Sequence, residues 1–212
     1  MEAIEKGFFY HIYNRGAGKS NLFWTVDDYR EFIKKYVYYL YPSVQTFAWC
    51  LMSNHFHALI RIRTVEEQTE LFRALKDQFE TGKFHGKVDP AEKAFIASKQ
   101  LSHFMNGYTR FINKKRERSG TLIEGPLKRK KIADEKNFNH LVCYIHRNPI
   151  HHGVTKTYMD YRYWSYTDYL NNRKSFTEKT PVLQRFGGID NLLKAHDEFK
   201  LNLDFGDNLY LE

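Results

Sequence analysis

Cysteine is scarce in this sequence, which contains only Cys50 and Cys143 and no Cys-x-x-Cys pair among its 212 residues. Both lie inside apolar stretches, so we expect buried free thiols in a reducing compartment. Long apolar runs are also missing. None approaches the ~20 residues of a membrane-spanning helix, and the N-terminal stretch lacks the apolar core of a secretory signal. We therefore expect a cytoplasmic protein with no membrane partner.

Acidic residues are outnumbered, with 25 Asp plus Glu against 33 Lys plus Arg, which gives a net charge of +8 and an isoelectric point near 9.3. Aromatic residues reach 17%, including 15 Tyr and 17 Phe. Cations meet phosphates and aromatic rings stack on bases, so this composition suits a nucleic-acid partner. It also fits a merely basic protein, because net charge alone does not specify a ligand.

Hydrophobic periodicity divides the chain into strands and helices in the order β-α-β-β-α-β, followed by a closing helix. This order is the ferredoxin-like plan, an α+β fold in which helices pack on one face of an antiparallel sheet. We expect one such domain over residues 1–150, with an insertion at 80–99 and an additional helix that carries Tyr144. Residues 151–212 are predicted to form an irregular C-terminal extension packed on the same domain.

Two histidines stand two residues apart in the stretch Leu51-Met52-Ser53-Asn54-His55-Phe56-His57. Side chains alternate along a strand, so His55 and His57 share one face while Phe56 begins an apolar face on the other side. We expect the histidine face to be the wetter of the two. Neighbouring imidazoles can hold one metal ion between them, although two ordinary surface histidines would show the same pattern.

A second stretch with polar groups lies much later in the chain, on a helix that Asp134 can cap and that begins at Glu135. Tyr144 and Asn148 are one turn apart and share a side of this helix, which we expect Pro149 to end. Taken alone, Tyr144 is typical of a half-buried helix tyrosine, and Asn148 of a residue whose side chain bonds locally at a helix end.

Two basic segments are candidates for contact with a nucleic-acid backbone. The first is a glycine-containing loop after the first strand, which lacks the spacing of a Walker phosphate loop. The second is a basic strand over residues 127–133, which could also be a solvated charged edge. The proposed contacts are Arg15, Lys19, Lys128, Arg129 and Lys130.

Four motifs in order resemble those of a known family. His55-Phe56-His57 is similar to the His-hydrophobic-His signature of the single-strand DNA transposases that use one tyrosine, the HUH type. Tyr13-Asn14-Arg15-Gly16, Tyr144-Ile145-His146-Arg147-Asn148-Pro149 and Trp164-Ser165-Tyr166 resemble the branch called REP-associated tyrosine transposases. Each motif is weak alone, and their shared order makes the resemblance specific.

The resemblance implies a role for each matching residue. It places the nucleophile on Tyr144 and the ligands of a divalent metal, Mg²⁺ or Mn²⁺, on His55, His57 and Asn148. It implies binding to single-stranded DNA near a hairpin, followed by cleavage that leaves a 5′-phosphotyrosine and a free 3′-hydroxyl, which allows rejoining to a different end. A phenol with a pKa of about 10 needs such help to act as a nucleophile at neutral pH.

The sequence departs from the family pattern at two places, and two other functions would fit the same composition. Ser53 stands where related proteins commonly have proline, and the segment 80–99 looks longer than the family plan requires. A non-catalytic binder of structured single-stranded DNA, or an RNA-processing enzyme on the same scaffold, would share the basic and aromatic composition. We interpret His11 and His146 as structural or solvent-facing. The sequence leaves open whether the protein is a monomer or a homodimer.

Overall fold

The computed structural model describes residues 3–84, 95–171 and 173–199. Its four strands form one antiparallel sheet in the order β2-β3-β1-β4. The strands are β1 (Phe9–Arg15), β2 (Val44–Leu51), β3 (His55–Ile62) and β4 (Lys128–Ile132). β2 and β3 form an antiparallel hairpin through Ser53 and Asn54. The sheet order and the helices between the strands confirm the predicted α+β, ferredoxin-like fold.

Three of the helices begin where side chains satisfy free backbone N–H groups of the first turn. Thr25 and Asp28 form a reciprocal capping box, as do Thr64 and Glu67, and the Asp134 carboxylate accepts a hydrogen bond from the Asn137 N–H. The described helices are α1 (Val26–Leu40), α2 (Val65–Ala74), α3 (Lys76–Glu80), α4 (Ala97–Lys115), α5 (Glu135–His151), α6 (Tyr166–Leu170), α7 (Lys179–Phe186) and α8 (Ile189–Glu198).

One face of the sheet packs against α1 and α4 in an aromatic core. The ring centroid of Phe32 on α1 lies 5.1 Å from that of Phe56 on β3, 4.9 Å from that of Phe104 and 4.9 Å from that of Tyr108 on α4. Burial of one such side chain contributes about 1.5–3 kcal/mol. This core holds the apolar face of β3 in place, so the alternate face is directed to the opposite side of the sheet.

The opposite face, which carries His55 and His57, is covered by α5. Leu141, Val142 and Ile145 of α5 pack there with Leu59 of β3. His57 is only 3% exposed and Leu59 is fully buried, so the expectation of a wet histidine face is wrong. Alternation assigns residues to a face correctly, but the apolar stripe of α5 determines that this face is a second interior.

The residues after α5 pack against that same layer. Trp164 and Leu192 are buried there, and a directed chain of hydrogen bonds joins α5 to α8. His196 Nδ1–H donates to the Leu192 carbonyl at 2.7 Å, so its Nε2 accepts from His146 Nδ1 at 2.8 Å. His146 Nε2 in turn accepts from the Ser165 hydroxyl at 2.7 Å. His146 is fully buried, so of the two predicted roles for this residue, structural or solvent-facing, the solvent-facing one is excluded.

Several element boundaries differ from the predicted ones. α5 continues past Pro149 to His151, because the last turn is closed by the His152 N–H, which donates to the Asn148 carbonyl at 3.0 Å. Asn148 therefore keeps helical geometry one turn after Tyr144. The apolar period over residues 66–79 predicts one continuous helix, but the chain leaves helical geometry at Leu75 and forms α2 and α3. The helices α6 and α7 were not predicted.

Both cysteines are buried free thiols, as predicted. Within residues 3–84, 95–171 and 173–199, no helix is long and apolar enough to cross a lipid bilayer. Most of the predicted insertion at 80–99 falls on residues 85–94, outside the described residues. The division of the chain at residue 150 stays a prediction.

Candidate active site

Two distant stretches of the chain meet at one cavity of about 490 Å³. β3 contributes His55 and His57, whose ring centroids are 5.2 Å apart, and α5 contributes Tyr144. The Tyr144 ring lies edge-on to His57, with centroids 5.6 Å apart. Other lining residues come from β1 and the loop after it, the β2–β3 turn, the start of β4 and the segment that follows α5: Tyr13, Asn14, Arg15, Lys19, Met52, Ser53, Asn54, Lys128, His152 and Val154. The predicted convergence of a late tyrosine with an early histidine pair is therefore present.

His55 lies between two amide oxygens. Its Nδ1 is 2.8 Å from Asn54 Oδ1, and its Nε2 is 2.8 Å from Asn148 Oδ1. Both oxygens are acceptors, whereas a neutral imidazole has one N–H and one lone pair. If Nδ1–H donates to Asn54, the Nε2 lone pair faces an oxygen lone pair of Asn148. A cation between Nε2 and Oδ1 would turn that repulsive pair into two ligands.

The donor set fits a small divalent cation. Two ligands at about 2.1 Å from one ion and at right angles would lie about 3.0 Å apart, close to the observed separation of His55 Nε2 and Asn148 Oδ1. The buried Asn148 Nδ2 has no hydrogen-bond partner among the described residues. Hydrogen bonding of the amide nitrogen therefore does not explain why the amide oxygen faces His55. In the described part of the chain, no group of three or more His, Cys, Asp or Glu side chains could hold a metal ion.

His11 on β1 lies directly behind His57. His11 Nε2 is 2.9 Å from His57 Nδ1, and the two rings are stacked with centroids 5.1 Å apart. Burial, reinforced by the charge of Lys130, lowers the pKa of His11 to about 3. Burial likewise lowers the pKa of His57 well below 6.5, with further lowering from His11, His55 and His152. Neutral imidazole is the form that ligates metals.

α5 and its C-terminal cap residue present three chemical groups along one side. Tyr144, Asn148 and His152 follow one another at four-residue spacing, so all three face the cavity end of β3. Tyr144 is only 3% exposed, while His152 is exposed at the rim, with its ring centroid 5.1 Å from that of His55. The helix thereby brings a phenol, an amide and an imidazole beside the histidine pair of β3.

Some of the predicted basic contacts border this cavity. Arg15, Lys19 and Lys128 line it, and Arg15 Nε also donates to Glu124 Oε2 at 2.6 Å. Lys128 lies 3.8 Å from Glu124, so both cations share one carboxylate. Because each of these side chains is about one-third exposed, the ion pairs contribute little to stability and do not prevent a phosphate contact.

The remaining two basic residues are separated by the alternation of β4. Lys130 is opposite His11 in the register of β1 and β4 and shares the sheet face of the site. Arg129 points to the other face, where it lines a second cavity of about 450 Å³ beside α4. The structure therefore brings Lys128 and Lys130 to the tyrosine side of the sheet and Arg129 to the opposite side.

His11, Asn54 and Glu124 are parts of this site that were not predicted from the sequence. His11 had an available signal, because it alternates with Tyr13 on β1, and Tyr13 pairs with His57 across the sheet. That pairing depends on the strand register, which a single sequence does not specify. Glu124 comes from an irregular segment, and only its contact with Arg15 identifies it.

No protein-family model matches the chain, and no curated protein is significantly similar to it. A solved structure does match, described as the "REP associates tyrosine transposase bound to a REP hairpin". The TM-score is 0.56 at 14% sequence identity, over 86% of this chain and 91% of that chain. The two proteins share a fold. At this identity the likeness shows a shared architecture only. The chemistry of the site depends on the residues that line it.

Proposed function

We propose that this protein is a transposase-type enzyme that cleaves and rejoins single-stranded DNA through a covalent bond to Tyr144. The observation that carries the proposal is the convergence of the Tyr144 ring with the His55 and His57 pair in one cavity. Tyr144 is far from His55 and His57 in the sequence, so proximity along the chain does not explain why they share a cavity. Nucleophilic cleavage of a phosphodiester requires a nucleophile beside a group that activates the phosphate.

In the proposed reaction the Tyr144 oxygen forms a bond to the scissile phosphorus and its proton passes to solvent. The bond from phosphorus to the 3′-oxygen breaks, and that oxygen takes up a proton to become a free 3′-hydroxyl. The 5′-phosphotyrosine conserves the phosphodiester energy, so a second 3′-hydroxyl can reverse the step without ATP. The packing of α5 on the sheet would hold the Tyr144 ring beside the histidine pair for this attack.

His55, His57 and Asn148 would hold Mg²⁺ or Mn²⁺ at this site. When bound, the ion would polarise the scissile phosphate and stabilise the charge that develops on its oxygens. Lys19 and Lys128 border the same cavity and would bind the flanking phosphates. Since the structural neighbour was solved with a REP hairpin, we propose hairpin-flanked single-stranded DNA as the substrate.

The proposal is tested with a labelled hairpin oligonucleotide carrying single-stranded flanks, incubated with the protein and Mn²⁺ and resolved on a denaturing gel. A covalent protein–DNA adduct is expected for the wild type. Tyr144→Phe should abolish the adduct while native-gel binding persists. Tyr13→Phe tests the other tyrosine that lines the cavity, whose pKa is raised by burial.

An adduct that survives in Tyr144→Phe would assign the nucleophile elsewhere. Binding that ignores divalent ions, with no adduct under any of them, would indicate a non-catalytic binder. Tighter binding to a matched RNA hairpin than to DNA would support an RNA-processing role, because the 2′-hydroxyl is the general discriminator between the two.

A further inference from the structure

His11 occupies an unusual place for a polar residue on a central strand. β1 lies between β3 and β4, and His11 is fully buried beneath the histidine pair. Among the described residues, its one side-chain hydrogen bond joins its Nε2 to His57 Nδ1, at 2.9 Å. Its own Nδ1 is buried with no hydrogen-bond partner in the described part of the chain. An apolar side chain would avoid that unpaired atom, so packing alone does not account for an imidazole here.

The contact between the two histidines restricts what His57 can do. With Nδ1 engaged by His11, only the Nε2 of His57 is available to a ligand in the cavity. That nitrogen has a free lone pair only if the ring proton is on Nδ1, which requires an acceptor at His11 Nε2. Metal-ligating histidines usually donate their second N–H to such a partner, which fixes both the tautomer and the ring orientation.

We propose that His11 is a positioning residue that accepts a hydrogen bond from His57 Nδ1–H and thereby directs the His57 Nε2 lone pair at a divalent cation. The inference rests on the proposed metal-dependent function. His55 has a matching partner in Asn54 Oδ1, at 2.8 Å from its Nδ1. The two histidines would thus be oriented by different groups, one from β1 and one from the β2–β3 turn.

The experiment measures Mn²⁺ binding to the protein without DNA, through the electron paramagnetic resonance signal of the free ion. His57→Ala and wild type establish whether the site exists. His11→Phe keeps a ring but removes the acceptor, and we expect it to weaken Mn²⁺ binding by about 10–100-fold. His11→Gln returns an acceptor oxygen and should recover part of the affinity. Tyr10→Phe is the matched control, because it removes a buried polar group from β1 on the face away from the site.

A second readout does not depend on any variant folding. Long-range ¹H–¹⁵N spectra of the histidine rings, recorded with Zn²⁺ as a diamagnetic probe, report which nitrogen of His57 is protonated. Nδ1–H is expected in the loaded wild-type protein. Wild-type Mn²⁺ binding that is lost in His57→Ala but unchanged in His11→Phe would overturn the role of His11 alone. Absence of Mn²⁺ binding in the wild type, both alone and with the hairpin oligonucleotide bound, would overturn the proposed metal site and this inference together. A metal-loaded His57 protonated on Nε2 would overturn the inference.

Discussion

Mild acid should unfold this protein, because four fully or nearly fully buried histidines must remain neutral in the folded state. They form two hydrogen-bonded pairs, one of His11 with His57 and one of His146 with His196. Burial lowers the pKa of all four, to about 3 for His11 and about 4 for His196. The unfolded chain takes up these protons near pH 6.5, so the folded state loses stability as the pH falls below that value.

The size of this stability loss follows from the difference in histidine pKa between the folded and unfolded states. Between pH 7 and pH 5, a histidine that titrates at 6.5 when unfolded and stays neutral when folded costs about 1.9 kcal/mol of stability, and four together cost about 7–8 kcal/mol. Typical domains have about 5–15 kcal/mol in total. Asp28, whose pKa its ion and hydrogen bonds hold at about 2, loses its stabilising effect only at lower pH. The histidines therefore dominate this range.

Urea unfolding followed by circular dichroism at pH 7, 6 and 5 measures this effect. The midpoint should fall steeply with an unchanged slope, and His196→Gln should show a weaker pH dependence than wild type. His103→Gln, at an exposed position of α4, is the control and should retain the wild-type dependence. A loss of less than about 1 kcal/mol between pH 7 and pH 5 would refute the reasoning, since even one buried neutral histidine costs more.

Two further predictions concern the site itself. Asn148→Ala should weaken Mn²⁺ binding and reduce adduct formation, whereas Asn148→Asp should retain both, because a carboxylate oxygen is an equally suitable ligand; equal loss in both variants would remove Asn148 from the ligand set. Lys128→Ala should weaken hairpin binding at all sequences and reduce the slope of log affinity against log salt by about 1. Arg129→Ala, on the opposite face, is the comparison, and an equal loss there would extend the DNA-binding surface around the β4 edge.

Much of this architecture follows from local pattern. The alternation of Phe56 with His55 and His57 assigned the two faces of β3 correctly, because the period of a strand is fixed. Asp134 marked the start of α5, since a capping carboxylate has a position-specific effect. The order of elements then limited the sheet to the ferredoxin-like arrangement that the structure has.

What could not be predicted is what lies over each face. The polar side chains of β3 predict a solvent-exposed face, but α5 covers that face. A strand pattern contains no information on a helix that is about 80 residues away in the chain. The end of α5 was placed too early because Pro149 disfavours helical geometry at Asn148 only statistically. The contact of His11 with His57 depends on strand register, and the contact of Glu124 with Arg15 depends on an irregular loop.

The charge balance of the site connects its two proposed ligands, the metal ion and the DNA. Imidazole nitrogens and an amide oxygen carry no negative charge to offset that of a divalent cation, while Lys19 and Lys128 on the same cavity oppose its binding. A phosphodiester supplies the missing negative charge to the ion and the lysines at once. The ion and the substrate phosphate would therefore bind more tightly together than apart, and each would raise the affinity of the other by the same factor. In that case the basic residues contribute to assembly of the reactive centre as well as to DNA affinity.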